Sequence, residues 1–451
     1  MRKIIQYMMM ALIAVVLASC ANDISEESTP TVKSNIRFVV DDFPMFEKPS
    51  TRTIGEEDKG KTAWAVGDEI CVKLESKELG TQTATLKYNG VKFELQDGNS
   101  LGYLEDEPVT AYAYYAPNRK WLNDGNLGYK DGEHDGTAEF LEATCTVHYG
   151  DDNYVDISFA NATRNYSRLR IATIPKTEIK VDADNFAPTD NPNRLYMTYT
   201  LTSDEKGNAY LYGTFYNNSI VTVKYRGATL KTYKFSKETE NAKSYALDAT
   251  VISANSAEEI YSAIKQEIAD GKTAIRLNLA SDAGDNEFNA IREAFKNVQD
   301  ATIDLTLIGC KEIPVNGLYR IMALKSITLP DVTKIRMDAL SSCLYLQEIC
   351  APNVSAIDEY AFGKCRYLRK VTLGKLTDVR GEANSRSGIF DDINDLNPDI
   401  DLYLPENQEV MEFDENSKQY IWKPTGESYF AGFDKDNVFL GYQFMSVKKW
   451  E

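Results

Sequence analysis

The stretch Leu324-Lys-Ser-Ile327-Thr-Leu329-Pro330 returns as Leu346-Gln-Glu-Ile349-Cys-Ala351-Pro352 and again as Leu368-Arg-Lys-Val371-Thr-Leu373-Gly374, each landmark 22 residues after the last. Other positions keep step: Val332, Val354 and Leu376; Ile335, Ile357 and Val379; Ala339 and Ala361; Cys343 and Cys365. A fixed period of about 20–29 residues marks a leucine-rich solenoid, whose single turns cannot bury their apolar faces alone. Stacked turns bury them jointly, with strands about 4.8 Å apart in one sheet. Two positions depart from the pattern: Ala351 stands where Leu is expected, and Gly374 replaces Pro. An insertion near Gly381–Gly388 delays the next strand, Leu402-Tyr-Leu404-Pro405, to 31 residues after Val371.

Upstream of the repeat, Ser256-Ala-Glu-Glu259 is a capping box, followed by an apolar stripe of Ile260, Ile264 and Ile268 and a stop at Asp270-Gly271. Ile275, Leu277 and Leu279 then alternate as a strand. A second helix carries Phe288, Ile291, Phe295 and Val298, and Ile303, Leu305 and Leu307 form the next strand. This β-α-β entry covers one end of the stack. It predicts one column of a parallel sheet through Leu277, Leu305, Ile327, Ile349, Val371 and Leu402. The tail after Pro405 holds Trp422, Tyr429, Phe430, Phe433, Tyr442, Phe444 and Trp450 and reads as a β-type cap. Over roughly 300–405 the pattern L-x-x-I-x-L-P, with Ala361-Phe362-Gly-Lys-Cys365, resembles the BspA-type leucine-rich repeats of Bacteroidetes surface proteins.

From Asn35 to Asp248 the chain runs in short alternating segments: Ile36–Val40, Glu69–Leu74, Val109–Tyr114, Tyr154–Phe159 and Ile220–Tyr225. Asn89-Gly90 between Leu86-Lys-Tyr88 and Val91-Lys-Phe93 signals a two-residue hairpin. This is the composition of antiparallel sandwiches. Thr51-Arg52-Thr53, Trp64-Ala-Val-Gly67-Asp68-Glu-Ile70, the aromatic strand Ala111–Pro117 and Lys243–Val251 resemble the fimbrillin family over about 31–251. The resemblance implies two transthyretin-like β-sandwiches, with a boundary near Gly150–Asp156. Some members of that family are clipped after an Arg that matches Arg52, opening a groove for a strand from another subunit; otherwise Arg52 is an uncut surface residue.

At the start of the chain, Arg2 and Lys3 precede an apolar run to Leu17, and Leu17-Ala18-Ser19-Cys20 follows. That is an export signal, too short and wrongly flanked for a spanning helix. The ending resembles a bacterial lipobox, which implies cleavage after Ser19 and a lipidated Cys20. The acidic residues Asp23, Glu26 and Glu27 behind it resemble a surface-export signal. The formal charge of −18 argues against nucleic acid, which needs a basic footprint, and against binding to anionic lipid.

The expected fold class is multidomain and mainly β: two antiparallel β-sandwiches followed by a short α/β leucine-rich-repeat solenoid. The expected segments are a signal peptide at 1–19, an acidic tether at 20–33, sandwiches at 34–152 and 153–251, and the repeat domain with its caps at 252–451. The outward strand positions offer a partner face: Asp304 and Thr306, Ser326 and Thr328, Glu348 and Cys350, Lys370 and Thr372, Asp401 and Tyr403. Tyr112, Tyr114 and Tyr115 with Trp121 are either a sandwich core or a stacking platform for sugar rings. The loop Asp131–Glu142 sets Asp131, Glu133, Asp135 and Glu142 at calcium-loop spacing, and otherwise it is a charged hairpin tip. Cys343 and Cys365, on adjacent rungs, are either bridged or small core residues.

Catalytic signals are missing from the sequence. His134 and His148 are its two histidines, and it holds no nucleophile elbow, phosphate loop, dinucleotide fingerprint or zinc-protease motif. The reading is a non-catalytic adhesion or protein-interaction lipoprotein of the outer membrane, facing the exterior, with no cofactor. Its partner would be a host or microbial protein. The alternatives are a glycan-binding lipoprotein of a carbohydrate-uptake system and an accessory or anchor subunit of a fimbria. Metabolic labelling with a fatty acid is expected to mark the chain and to leave Cys20→Ala unmarked; equal labelling of both would contradict the lipid anchor.

Overall fold

The computed structural model of the chain describes residues 32–33, 36–47, 60–96, 101–104, 107–149, 153–159, 164–189, 191, 193, 195–298, 300–379, 388–390, 399–414, 419–423, 437–440 and 442–450. Cys20, Arg52, the signal segment and most of the Gly381–Gly388 insertion lie outside these residues. So do Tyr429, Phe430 and Phe433 of the tail. The fold is mainly β. The two helices among the described residues, α1 (Ala257–Ala269) and α2 (Asp285–Phe295), both lie in the repeat domain.

The first sandwich is built on a seven-stranded sheet ordered Arg37–Val40, Tyr154–Ile157, Leu141–His148, Thr110–Tyr115, Glu69–Ser76, Gly80–Tyr88 and Phe93–Leu95. All pairs are antiparallel except the first. A hairpin forms here, but Tyr88 pairs with Phe93 and the Asn89 amide donates to the Lys92 carbonyl. The turn is therefore Gly90-Val91, one residue later than expected, with Asn89 Oδ1 accepting from the amides of Val91 and Lys92. The core gathers around Trp64, whose ring meets Phe43 and Phe93 at 4.9 Å and Tyr115 at 5.2 Å, all edge to face. Such pairs each add about 0.5–1.5 kcal/mol beyond area burial. The domain boundary needs correction. Tyr154–Ile157 pairs with Leu141–His148 and Arg37–Val40, and Val155, Ile157 and Phe159 are buried in the first core. The first sandwich therefore extends past the expected Gly150–Asp156 boundary to at least Phe159.

The second sandwich turns on one 18-residue strand, Asn208–Tyr225. Its first part pairs with Ser167–Ala172 and its far part with Ala228–Lys234, while Glu178–Pro188 follows its other edge through a bulge at Asp184–Phe186. One strand thus serves both layers, as in sandwiches whose corners are made by strands that switch sheets. Gly213 sits at the crossover, where a Cβ would lie 2.3 Å from the Ala187 carbonyl oxygen and 2.4 Å from the Phe186 ring. The two sandwiches meet at a buried ion pair. Arg164 donates to both oxygens of Glu139 at 3.1 and 3.3 Å and stacks on Phe46 at 4.0 Å. Burial pushes the Glu139 carboxyl up, with the Arg164 charge opposing it.

The repeat domain is a solenoid. Eight parallel strands run in the order Ile252–Ser253, Ala274–Asn278, Ile303–Ile308, Leu324–Thr328, Glu348–Ala351, Lys370–Leu373, Asp401–Leu404 and Ser446–Lys449. Leu305, Ile327, Ile349, Val371 and Leu402 form the expected column, extended by Val447. Its upstream member is Ile275; Leu277 pairs with Leu307 instead. The alternation was right, but the register across the α2 crossover is two residues off. A four-stranded ladder on the opposite side aligns Ile313, Ile335, Ile357 and Val379. The period also appears in the backbone. Asn316, Asp338 and Tyr360, and likewise Arg320, Ser342 and Lys364, have positive φ at 22-residue steps. Gly374 departs from Pro because carbonyl oxygens of Val354 and Pro352 would lie 2.5 and 2.7 Å from a Cβ there.

Cys343 and Cys365 are both free and fully buried, and each thiol donates to a carbonyl of the preceding rung, at 3.1 and 3.2 Å. In the tail, Val410–Asp414 pairs with Gln419–Lys423, and Ser446–Lys449 then closes the main sheet. Overpacking a close-packed crossing costs about 1–3 kcal/mol or more. Gly213→Ala is expected to lower stability by about that amount in urea denaturation; an unchanged midpoint would contradict the sheet-switching geometry.

Candidate functional site

The turn joining Asn208–Tyr225 to Ala228–Lys234 is Arg226-Gly227, with φ of 47° and 84°. Two positive φ values make the tight turn whose twist suits a hairpin. Arg226 occupies a position that favours Gly or Asn, and the solenoid holds it there. Its guanidinium pairs with Asp331 at 2.8 Å, and its carbonyl accepts from Asn353 Nδ2 at 3.0 Å. Asp331, 3% exposed, also accepts from the Gly309 amide at 2.9 Å and faces Lys311 at 3.5 Å. Asp331 and Asn353 stand one rung apart, each after the proline that ends a strand. Arg276 Nε adds a bond to the Leu230 carbonyl at 3.0 Å, and Ile308 packs into the core of the second sandwich.

This docking tilts the hairpin over the outward face of the parallel sheet and leaves a cleft of about 790 Å³. Lys224, Gly227 and Thr229 line it from the hairpin, and Trp450 lines it beside Gly227. The sheet side holds Asp304, Ser326, Thr328, Glu348, Lys370, Thr372 and Tyr403, which the alternation of the strands had placed on one face. Thr306, on the same strand face, is nearly covered at 7% exposure. The expected partner face is therefore a roofed cleft, not an open plate.

Inside it the polar groups are cross-rung pairs. Ser326 donates to Asp304 at 2.6 Å, and Lys370 to Glu348 at 2.6 Å. Burial works against the Lys370 charge, but the hydrogen bond to Glu348 and the charge of that carboxylate, with Cys350 and Tyr403, together raise the Lys370 pKa. Lys370 and Lys448 both stand over the Tyr403 ring, at 5.7 and 5.6 Å. Trp450 is fixed by its indole N–H on the Leu373 carbonyl at 2.8 Å. Burial pushes the Cys350 thiol up to about 11, so it stays protonated and a poor nucleophile at neutral pH. The cleft offers hydrogen bonds, balanced charge and aromatic faces, which suit binding.

The other predicted sites fall apart in space. Asp135 pairs with Arg119 at 3.2 Å, Asp131 is fully exposed near Lys120, Glu133 accepts from Thr137, and Glu142 sits on the strand Leu141–His148. Among the described residues no three His, Cys, Asp or Glu side chains gather as a metal site. The loop instead docks on the second sandwich, where the Tyr212 amide donates to the Gly136 carbonyl at 2.8 Å. In the aromatic strand the core face is Ala111 and Ala113, joined by Tyr115, and the half-buried face is Tyr112 and Tyr114. Tyr114 meets Trp121 edge-on at 85°, so the two do not form a flat platform. His148 pairs with Asp156 at 3.0 Å on the first sandwich. Sequence reasoning missed Lys224, Thr229, Arg226, Asp331 and Trp450, whose roles depend on how one domain leans on the next.

Residues 290–392 match the family described as BspA type leucine rich repeat region, in six copies. No curated protein matches the chain. Among solved structures, two variants of the shaft pilin SpaA from Lactobacillus rhamnosus GG align at 12% and 11% identity. They cover 49% of this chain and 97% and 96% of their own, with TM-scores of 0.19 and 0.17. No helix among the described residues is long and apolar enough to cross a membrane.

Removing one partner of a buried charge network costs about 3–5 kcal/mol, while a half-exposed partner contributes about 1 kcal/mol or less. Asp331→Ala is therefore expected to destabilise the chain far more than Arg226→Ala in thermal and urea unfolding. The reverse order would contradict Asp331 as the anchor of the hairpin.

Proposed function

We propose that this chain is a non-catalytic interaction protein of the cell surface, held to the outer membrane through an acylated Cys20. The two sandwiches act as a stalk, and the junction of the second sandwich with the solenoid carries the ligand seat. One observation carries this reading. The outward strand residues of five consecutive strands, from Asp304 to Tyr403, meet a hairpin of another domain across a single cleft. Concave sites with a few converging polar groups at domain junctions are the usual seats of ligands. The match to BspA-type repeats supports a surface setting.

The favoured ligand is an extended segment of a host or microbial protein, whose backbone could exchange hydrogen bonds with Ser326, Thr328 and Thr372. A glycan is the second reading, favoured by the Tyr403 ring and by Trp450 in the lining of the cleft. A role as an accessory subunit of a fimbria, with processing at Arg52, rests on the resemblance of the sandwiches alone.

The purified full chain, applied to protein and glycan arrays, is expected to bind a discrete set of targets. Lys370→Glu and Tyr403→Ala are expected to weaken that binding at least tenfold, about 1.4 kcal/mol. Targets bound equally by wild type and both variants would overturn the cleft as the seat.

A further inference from the structure

Beside the cleft, the chain enters each strand of the main sheet along a narrow edge. The seven-residue segments 319–325, 341–347 and 363–369 form this edge on three consecutive rungs. They hold five cations (Arg320, Lys325, Lys364, Arg366 and Arg369) and no carboxylate, in a chain of net charge −18. The cations keep the repeat: Arg320 and Lys364 share one position, Lys325 and Arg369 another, each pair 44 residues apart. Two rungs separate the members of each pair, roughly 9.6 Å at the usual strand spacing. Among the described residues the side chains of Arg320, Lys325 and Arg366 make no ion pair, while Arg369 faces Asp399 at 3.9 Å.

Between the cations stand Tyr345 and Tyr367, 41% and 51% exposed, at the same position of adjacent rungs. Their rings lie 5.6 Å apart and are tilted by 32° to one another. Large exposed aromatics in register, with cations on either side, are unusual on a protein surface that has no use for them. The patch is also one line of side chains wide and about three rungs long. A specific protein interface needs about 800 Å² on each partner, more than such a line supplies.

We propose that this edge binds a linear anionic polysaccharide, bearing uronate or sulfate groups, laid along the solenoid axis. The two tyrosine rings would take the faces of successive sugars, and the cations would pair with the acidic groups beside them. The acidity of the rest of the chain would confine the polyanion to this edge, since like charge repels it elsewhere. The edge adjoins the cleft, whose lining includes Lys325, but Arg320, Tyr345, Lys364, Arg366, Tyr367 and Arg369 lie outside that lining.

The test is direct binding of the purified full chain to heparin, polygalacturonate, dextran, single-stranded poly(dT) and polyglutamate at low and physiological salt. Heparin or polygalacturonate is expected to bind, more weakly as salt rises, and dextran not to bind. Arg366→Glu with Lys364→Glu, and Tyr345→Ala with Tyr367→Ala, are each expected to reduce affinity at least tenfold. These side chains are exposed, and an unchanged melting temperature will separate lost binding from lost fold. Tyr403→Ala, in the cleft, is expected to keep wild-type affinity for the polysaccharide. The proposal is overturned if neither polyanion binds at low salt, if the edge variants bind as wild type does, or if Tyr403→Ala loses the binding. Equal or tighter binding of poly(dT) or polyglutamate would overturn the assignment of the ligand class.

Discussion

The structure depends on burying one apolar column that no single rung can bury. Ile327 touches water unless Leu305 and Ile349 close over it from both sides, and each of these is in the same position. In the assembled stack all three are at most 1% exposed. At about 25 cal/mol per Å² of apolar surface, the gain of a rung comes almost wholly from its neighbours. Both ends therefore need covers, and the chain supplies them. Helices α1 and α2 with their strands close one end, and Ser446–Lys449 adds the last strand at the other. The same stacking holds the outward side chains in straight files, which is why Ser326 meets Asp304 and Lys370 meets Glu348 across rungs.

A second constraint decides what that face can do. Asp331 sits at the end of a rung, nearly without exposure, and gathers the Gly309 amide, Lys311 and Arg226. Because Arg226 belongs to a hairpin of the preceding domain, satisfying one buried carboxylate also fixes the angle between domains. The sheet face becomes a cleft with walls from two folding units. Gly213 contributes from a distance, since it lets the strand that carries the hairpin pass from one layer of its sandwich to the other.

The parts of this arrangement that were legible in the sequence are those set by local repetition. The 22-residue recurrence placed Ile327, Ile349 and Val371 correctly, and alternation put Thr328, Glu348 and Lys370 on one side. Ser256 and Glu259 announced α1, and Asn89-Gly90 a hairpin, one residue early. Contacts between distant segments left no such trace. Tyr154–Ile157 looked like the first strand of a new domain because nothing in it reveals its parallel partner Arg37–Val40. Leu277 was placed in the column where Ile275 belongs, since two alternating apolar residues fit equally well and only the length of the α2 crossover decides between them. Tyr112 and Tyr114 promised a core by their size, yet Ala111, Ala113 and Tyr115 are the buried residues of that strand. Arg226 and Asp331 are ordinary surface letters until the two domains meet.

Hydrogen exchange followed peptide by peptide addresses the stacked solenoid most directly. If each rung owes its stability to its neighbours, the amides of Ile303–Ile308, Leu324–Thr328, Glu348–Ala351 and Lys370–Leu373 will exchange together, slowly, in one cooperative opening. Three repeats exchanging at unrelated rates, or as fast as open loops, would mean that the matching segments do not form consecutive hydrogen-bonded coils.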